Sequence, residues 1–411
     1  MKNLYYKNNR LFFENIDLDN LSNELPTPFY LYSQKSIKEN INEYLSSANS
    51  RTLFCYSVKA NSNMTILNLI ASEGLGFDVV SQGELYRALK TGVSTKKIVY
   101  SGVGKTRDEI KYALENNILC FNVESKDELM AIDQEASSMG LIADISIRVN
   151  PNVKVETHPY ISTGMKDNKF GIQYEHVIDI YKQARTLESI NIIGIDFHIG
   201  SQIMSTSPYL ESISSVKRIL EELNDCEIKI THIDVGGGLG ISYKDESQID
   251  RSNYVAKILD SFKDNDVDII FEPGRSIIGD CGILVSTVQY TKESDHKNFL
   301  IVDASMSELM RPALYDAYHK ITPIIKTDAS CKKYDVVGPV CESADFLGKE
   351  RELNCKVGDK VVVEDTGAYG FVLASNYNSR PRPAEYLISD GKVKLIRSVE
   401  TLEQIVQNEN C

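Results

Sequence analysis

The stretch LFCYSVKAN (53–61) joins a short apolar run to a lysine and a small polar turn. The run has the length and composition of a buried β-strand, and Lys59 stands at its carboxyl end. A barrel enzyme would hold a cofactor by an amine at this place, although many strands simply end in a lysine that reaches water. The pattern of the neighbouring segments therefore has to decide the fold.

Seven further strand-like runs follow, and amphipathic segments such as residues 207–224 separate most of them. Repeated units of this kind predict a parallel sheet that is covered on both faces. Eight units in this length favour an α/β fold built as a (β/α)8 TIM-like barrel, with a doubly wound sheet as the alternative. The runs are LFCYSVK (53–59), GFDVV (76–80), IVYSG (98–102), CFNVE (120–124), ISIRVN (145–150), GIDFHIG (194–200), HIDVGGG (232–238) and IIFEPGR (269–275).

Chemically distinctive residues lie at the carboxyl ends of these runs, and this favours the barrel. The carboxyl end of a barrel is where active sites are built, so basic, acidic and glycine ends would converge there on one ligand. The residues at these ends are Lys59, Asp78, Ser101, Glu124, Asn150, His198, Gly236 to Gly238, Glu272 and Arg275.

The pattern changes after Arg275, where strand-like runs follow one another with few helical stretches between them. Asp390-Gly391 separates two alternating runs and predicts a hairpin. We predict a barrel domain over residues 26–278 and a mostly antiparallel β domain over residues 279–411. Residues 1–25 are expected to join the β domain, with FYLYS (29–33) as a further candidate, because the termini of a domain usually lie close together.

Composition and charge limit the partners. The chain has 411 residues and a formal net charge of -13, which argues against binding to nucleic acid or to an anionic membrane. No apolar run approaches the length that spans a membrane, and the N-terminus lacks the apolar core of a signal peptide. The eight cysteines are scattered without the spacing of a zinc site, so we predict reduced thiols, no metal and a cytoplasmic protein.

Several motifs together describe the needs of one cofactor. GGGLG (236–240) is either a phosphate-binding loop or a tight turn. Glu272 and Arg275 are either a buried ion pair or a carboxylate for a pyridine nitrogen with a nearby cation. His198 could stack on a flat ring, and Ser201 could add a hydroxyl to a phosphate cup. With the Lys59 amine, this set predicts pyridoxal 5'-phosphate (PLP).

The motifs also carry a resemblance to a known family. YSVKAN (56–61), HIGSQ (198–202), GGGLG and EPGR (272–275) resemble the alanine-racemase-type barrel of PLP-dependent amino-acid decarboxylases, and further motifs are similar to the diaminopimelate decarboxylases within it. The polyamine-type members usually carry a CDG-like triplet where this chain has Cys341-Glu342-Ser343. The further motifs are SQGELYRALKTG (81–92), HPYISTGMKDNKFGI (158–172), DASMSELMRPALYDAYH (303–319), VGPVCESADFLGKERELN (337–354) and GAYGFVLASNYNSRPRPAEYL (367–387).

The resemblance implies a role for each matching residue. Lys59 would hold PLP covalently, and Glu272 would pair with its ring nitrogen. Gly236 to Gly238, with Ser201 and Arg275, would hold the phosphate or lie near it. Cys341 would return a proton to the α-carbon, and Cys341 and Glu342 would come from the partner subunit of a homodimer with shared active sites. The residues implied in substrate binding are Arg275, Arg311, Tyr315, Glu342 and Tyr369, of which Tyr369 would also touch the phosphate.

The implied reaction is decarboxylation of the amino acid meso-2,6-diaminopimelate to L-lysine and CO2, the last step of lysine biosynthesis. Three alternatives stay open. They are a decarboxylase of ornithine, arginine or carboxynorspermidine, a racemase on the same barrel, and a PLP-binding protein without catalysis.

Some positions have no assigned role at this stage. Gln82, Ser305 and Ala344 stand where the family commonly has glycine, and each adds a side chain near the expected site or interface. Asp78 would either orient His198 or cap a strand. Arg380 and Arg382, which lie between prolines, are interpreted as structural or interface residues. These departures could alter the fit of the substrate.

Overall fold

The computed structural model describes residues 1–151, 169–244, 246–247 and 249–410. The chain forms two compact units. The barrel unit consists of Ile41–Ile241 and Ser247–Ser276, and the β unit consists of Met1–Asn40, Ser242–Glu246 and Ile277–Cys411.

The described residues form strands along the whole chain. They are β1 (Leu4–Lys7), β2 (Arg10–Phe13), β3 (Ile16–Asp17), β4 (Phe29–Ser33), β5 (Thr52–Ser57), β6 (Gly76–Val79), β7 (Ile98–Tyr100), β8 (Cys120–Val123), β9 (Ala143–Asn150), β10 (Ile172–Gln173), β11 (Ile190–Asp196), β12 (His232–Asp234), β13 (Asp268–Phe271), β14 (Gly282–Lys292), β15 (Phe299–Val302), β16 (Ile321–Pro323), β17 (Lys332–Val337), β18 (Phe346–Leu353), β19 (Lys360–Val363), β20 (Ala384–Ser389) and β21 (Lys392–Arg397).

The α-helices alternate with the strands in the barrel unit and are sparse after it. They are α1 (Leu18–Glu24), α2 (Gln34–Leu45), α3 (Met64–Ser72), α4 (Gln82–Lys90), α5 (Arg107–Glu115), α6 (Lys126–Met139), α7 (Val177–Ala184), α8 (Ser207–Asp225), α9 (Arg251–Ser261), α10 (Arg275–Ile278), α11 (Arg311–Tyr315) and α12 (Leu402–Val406). None of the helices that the described residues form is both long enough and apolar enough to span a bilayer.

The barrel unit is a closed ring of eight parallel strands. Going round the ring, the strands are β5, β6, β7, β8, β9, β11, β12 and β13, and the pairing of β13 with β5 closes it. Each ring strand overlaps one of the eight predicted runs, so the predicted (β/α)8 barrel is confirmed. The ring strands β6, β7 and β8 are buried along their whole length, as expected of a parallel sheet with both faces covered.

Local sequence signals set the ends of the barrel helices. The Thr106 side chain caps α5 and forms a capping box with Glu109, which satisfies backbone N–H groups at the start of the helix. The Ser125 side chain accepts the Glu128 N–H at the start of α6, and Gly140 ends that helix with a left-handed φ of 66°. A glycine suits this end because it has no Cβ to oppose the left-handed conformation.

The β unit is built on a sheet in the order β18-β17-β15-β14-β4-β20-β21, with β16 and β19 joined to it through β14. Most of its pairs are antiparallel, whereas β15 with β17 and β4 with β20 are parallel. The predicted mostly antiparallel domain is therefore confirmed. Asp390 and Gly391 connect β20 to β21 with φ angles of 52° and 72°, which is the conformation of a tight two-residue hairpin.

The amino-terminal boundary differs from the predicted one. Residues 26–40 were predicted in the barrel, but β4 pairs with β14 and β20, and Phe29 packs in the core of the β unit with Phe13 and Val362. The segment FYLYS (29–33) is buried at every residue, which a central strand of this sheet requires. The observed division falls after Asn40, and the second division falls at Ser276 and Ile277, close to the predicted 278.

Candidate active site

Lys59 lies in the short turn Val58–Ala60 that follows β5. Its Nζ donates a hydrogen bond of 2.6 Å to Oδ2 of Asp78, and the Ser57 hydroxyl donates to the same oxygen at 2.8 Å. Asp78 is fully buried on β6, directly opposite Ser57 in the strand register. A charge-assisted bond to a buried carboxylate fixes the position of the amine. The sequence left the role of Asp78 undecided, and the structure shows that Asp78 binds the amine of Lys59.

The glycine loop, Gly236 to Gly238, follows β12 and has no room for side chains. Gly236 and Gly238 have φ angles of +66° and +100°, which favour glycine. A Cβ on Gly237 would lie 2.1 Å from the backbone oxygen of Glu272, and one on Gly238 would lie 2.3 Å from that of Gly200. The loop therefore lets the backbone of three segments approach closely, which is what a phosphate-binding loop requires.

His198 contacts this loop through its ring. The Gly237 N–H donates to His198 Nδ1 at 3.2 Å, so Nδ1 must carry a lone pair. Burial, reinforced by the charges of Arg148 and Lys59, holds the pKa of His198 well below its usual range. The ring is thus neutral, with its proton on Nε2. A flat, uncharged ring is suited to the predicted stacking role.

Ser201 and Arg275 meet beside the same strand ends. Arg275 is buried at the start of α10, and its Nη2 donates to the Ser201 hydroxyl at 3.1 Å. The pair joins two of the residues that were expected on the phosphate side of the cofactor. A guanidinium and a hydroxyl in contact can together bind an anion.

Glu272 belongs to a cluster of three buried carboxyl groups. One carboxyl oxygen from each of Asp196, Asp234 and Glu272 lies within 4.8 Å of the others. Burial, with the charges of Asp234 and Asp78, raises the pKa of Glu272 well above its usual range. Burial raises the pKa of Asp234 to about 6, although the Gly236 N–H donates to this carboxyl at 2.9 Å and lowers its pKa.

A shared proton explains how these carboxyl groups can lie so close together. Two ionised carboxylates this close would repel each other, and a proton on one of them removes that repulsion. Their spacing would also allow them to hold a metal ion, but the raised pKa values favour protonation. Glu272 would ionise when a cationic partner replaced the shared proton. A protonated pyridine nitrogen is a partner of that kind.

Arg148 was missed at the sequence level. It lies on β9, is buried, and its Nη1 donates to Glu124 Oε1 at 2.6 Å. Its Nε lies 3.7 Å from Asp196, and the other oxygen of Glu124 accepts the Gly171 N–H at 2.7 Å. The signal was available, because an arginine in the apolar run ISIRVN has to find a buried acid.

The β unit holds the remaining predicted residues. Arg311 is buried at the start of α11, and Tyr315, which ends that helix, is partly exposed. Tyr369 is partly buried and has a left-handed φ of 56°. Cys341 and Glu342 are exposed on a loop before β18.

The loop that carries Cys341 and Glu342 is fixed by the segment SNYNSR (375–380). The Cys341 N–H donates to Asn378 Oδ1 at 3.0 Å, and the Tyr377 hydroxyl donates to Glu342. Asn378 itself has a left-handed φ of 54°. In the sequence this segment was only part of a motif typical of the family. The structure gives it a physical role, which is to hold the loop of Cys341 and Glu342.

The positions that depart from the family pattern have ordinary local roles. Gln82 and Ala344 are exposed, whereas Ser305 is buried, and its N–H and hydroxyl both donate to Glu308 at 2.6 Å. Arg380 donates to the backbone oxygen of Asp303 at 2.8 Å.

Arg382 also has a local partner, because its Nε donates to Glu400 at 2.7 Å. The contacts of Arg380 and Arg382 agree with their interpretation as structural residues. The motif at 158–172 lies outside the described residues up to position 168.

The structure therefore places the residues expected around a cofactor in the barrel unit, except Tyr369, and holds the others in a separate unit. The barrel unit contains Lys59, His198, Ser201, Gly236, Gly237, Gly238, Glu272 and Arg275, and the β unit contains Arg311, Tyr315, Cys341, Glu342 and Tyr369.

We expect Gly237→Ala to destabilise the protein by about 1–3 kcal/mol, because the new Cβ would have to displace the backbone of Glu272. The matched control is Gly104→Ala, since a Cβ on Gly104 meets nothing within 4 Å. Thermal unfolding of both variants measures the effect. Equal melting temperatures for the two variants would contradict the steric argument.

We also expect Asp234→Asn to change how stability depends on pH. The folded-state pKa of about 6 lies above the ordinary 3.8, so the stability from this group is fully present below pH 3.8 and is lost as the pH rises through 6. The asparagine variant should lack this fall, which is on the order of 3 kcal/mol because one pKa unit corresponds to about 1.4 kcal/mol. Urea unfolding of the cofactor-free protein between pH 4 and about 7 measures it.

The exposed Asp225→Asn at the end of α8 is the control for this experiment, and it should keep the wild-type slope. A wild-type slope in Asp234→Asn as well would show that Asp234 does not hold the proton.

Comparison with known proteins assigns the family. Residues 34–279 match the family model described as "Pyridoxal-dependent decarboxylase, pyridoxal binding domain". The chain is 44% identical to the diaminopimelate decarboxylase of Vibrio cholerae serotype O1 over 403 residues, which cover 98% of this chain and 97% of that protein. It is 46% identical to the diaminopimelate decarboxylase of Haemophilus influenzae, with 97% of each chain covered.

Solved structures agree with these relatives. The crystal structure of diaminopimelate decarboxylase from Helicobacter pylori complexed with L-lysine superposes with a TM-score of 0.92 and 43% identity, covering 96% of this chain and 99% of that one. The diaminopimelate decarboxylase from M. jannaschii in co-complex with L-lysine superposes with a TM-score of 0.93 and 37% identity, covering 100% and 98%. By sequence and by fold over nearly its whole length, this chain belongs to the diaminopimelate decarboxylases, within the family of pyridoxal-dependent decarboxylases.

Proposed function

We propose that this chain is a PLP-dependent carboxy-lyase that converts meso-2,6-diaminopimelate into L-lysine and CO2, the last step of lysine biosynthesis. The observation that carries the proposal is its similarity to diaminopimelate decarboxylases over 98% of its length. The fit of the barrel residues to the cofactor supports it independently.

The barrel residues fit PLP on structural grounds. The glycine loop excludes side chains and so lets the backbone approach a ligand closely, as a phosphate requires. Ser201 and Arg275 add a hydroxyl and a cation in mutual contact. Glu272 is a buried acid that needs a cationic partner in order to ionise, and the neutral ring of His198 can stack on a flat one. When bound, PLP supplies a protonated ring that accepts the electron pair left by the departing carboxylate.

Each barrel residue has a specific task in this proposal. Lys59 holds the cofactor through its amine, and Asp78 positions that amine and balances its charge. Glu272 keeps a proton on the ring nitrogen by the attraction of opposite charges. Asp234 lies beside Glu272 in the same buried carboxyl cluster and adds negative charge that favours a cation there.

The β unit would recognise the substrate. Diaminopimelate has two amino-acid ends, so the enzyme must distinguish the end that reacts from the end that is kept. A guanidinium such as that of Arg311 suits the distal carboxylate, and Glu342 suits the distal ammonium. The other proposed substrate contacts are Arg275, Tyr315 and Tyr369. The Cys341 thiol would deliver the proton to the α-carbon after CO2 departs.

We also propose a homodimer in which Cys341 and Glu342 complete the site of the partner subunit. Both residues are exposed in the isolated chain, although the proposed chemistry needs them at the substrate. The cytoplasmic location predicted from cysteine usage is part of the same proposal.

We expect the purified protein with PLP to release CO2 from meso-2,6-diaminopimelate and to leave lysine, ornithine and arginine largely unchanged. Lys59→Ala should lose the visible absorbance of lysine-bound PLP and nearly all turnover, because no other amine replaces the covalent link. The exposed Lys90→Ala serves as the control and should resemble wild type. The measurements are a CO2 assay and an absorbance spectrum.

Other outcomes of this assay identify the alternatives. Release of CO2 from ornithine or arginine in preference to diaminopimelate would indicate a different basic-amino-acid decarboxylase. Exchange of the α-proton without CO2 would indicate a racemase. Bound PLP with neither reaction would indicate a non-catalytic binding protein, and wild-type turnover by Lys59→Ala would refute the cofactor assignment.

We expect Cys341→Ala to keep the absorbance of bound PLP and to lose most of the rate, because the thiol acts after the cofactor is in place. Cys331→Ala is the matched control, since Cys331 is also an exposed thiol of the β unit. Mixing Cys341→Ala with Lys59→Ala subunits should restore part of the activity if each site combines residues of two subunits. No recovery in proven mixed dimers would contradict the shared site.

A further inference from the structure

Arg311 is held by two acceptors on one of its terminal nitrogens. Its Nη1 donates at 2.9 Å to the hydroxyl of Tyr243 and lies 2.9 Å from Nε2 of His319. The guanidinium carbon also lies 4.8 Å from the centre of the Tyr243 ring. All three residues belong to the β unit and are buried, and His319 is 0% exposed. Both hydrogens of Nη1 are therefore used by protein groups.

The backbone decides which nitrogen of His319 carries the proton. His319 Nδ1 lies 2.8 Å from the backbone oxygen of Glu364, and a carbonyl oxygen can only accept. Nδ1 must then be protonated, and in a neutral ring Nε2 keeps a lone pair that accepts from Arg311. A second proton on Nε2 would face the guanidinium and bring two like charges together in a buried place.

The support behind His319 is itself rigid. The Glu364 N–H donates to the backbone oxygen of Lys320 at 2.9 Å, so the residue that follows His319 is also hydrogen-bonded to Glu364. Glu364 is buried beside β19, and its carboxylate accepts from the Thr322 hydroxyl on β16. The carbonyl that selects the tautomer of His319 is thus fixed by a pair of neighbouring strands.

We propose that His319 is a positioning residue that fixes the guanidinium of Arg311 for the distal carboxylate of the substrate, with Tyr243 as the second support. The inference rests on the proposed function, in which Arg311 binds that carboxylate. A guanidinium binds a carboxylate best through a planar pair of hydrogen bonds, so its orientation matters as well as its charge. Fixing that plane before the substrate arrives avoids an ordering cost on binding.

Two substitutions separate positioning from simple packing. His319→Asn retains an amide N–H that can reach the Glu364 oxygen, but it removes the Nε2 acceptor of Arg311. His319→Gln places an amide oxygen near the former Nε2, where it can accept from Arg311. We expect His319→Asn to raise the KM for meso-2,6-diaminopimelate about tenfold or more, because a buried charged donor loses one of its acceptors. The Gln variant should recover most of this loss, and kcat should change much less than KM in both.

Two further variants serve as controls for this comparison. His296→Asn replaces an exposed histidine of the β unit and should leave KM unchanged. Tyr243→Phe removes one acceptor and keeps the ring under the guanidinium, so its KM should rise less than that of His319→Asn. Melting temperatures of all variants show whether they are folded. An equal rise of KM in the Asn and Gln variants, or a rise in neither, would overturn the positioning role.

A second measurement separates this inference from the proposed function. The ¹⁵N resonances of His319 should show a protonated Nδ1 and an unprotonated Nε2, whatever substrate the enzyme uses. A protonated Nε2 in wild-type protein that releases CO2 from diaminopimelate would overturn the inference alone. The predicted tautomer in protein that fails to act on diaminopimelate would support the geometry and refute the proposed function.

Discussion

The barrel unit depends on one pairing, that of β13 with β5, because it closes the ring of parallel strands. In a closed parallel ring all carboxyl ends lie on one rim, so residues far apart in the chain become neighbours. Lys59 follows β5, Glu272 follows the neighbouring β13, and the glycine loop follows β12 on the other side of β13. The pairing of β12 with β13 brings the backbone of Glu272 against Gly237 so closely that only glycine fits. The proximity of these residues is thus a direct consequence of the topology.

Because the polar strand ends converge on one rim, several acidic side chains are buried close together. Asp78, Asp196, Asp234 and Glu272 all point away from bulk water, and each raises the cost of ionising another. The barrel balances part of this charge with Lys59 on Asp78 and with Arg148 beside Asp196, and the raised pKa values of Asp234 and Glu272 favour a proton in that pair. A cationic ring beside Glu272 would therefore be stabilised by the surrounding carboxyl groups.

The β unit applies a different principle, because it orients its buried cation with neutral groups. Arg311 contacts a phenol hydroxyl and a neutral imidazole, and neither cancels its charge. The cost of burying the cation is partly offset by these hydrogen bonds and by the Tyr243 ring beneath it. The same contacts restrict the motion of the guanidinium.

The sequence by itself determined the number and position of the barrel strands, the hairpin at Asp390-Gly391, and the residues at the strand ends, because these depend on periodicity and on turn chemistry between near neighbours. It also predicted that the residues proposed to hold the cofactor would lie together, since strand ends in a parallel ring share a rim. Only the tertiary structure decided that β4 belongs to the β unit, that Asp78 pairs with Lys59, and that Arg148 and His319 serve buried partners. These contacts join residues that are distant in the chain or depend on which ring nitrogen faces a carbonyl. No local pattern encodes such a pairing, because its energy exists only when both partners are buried together.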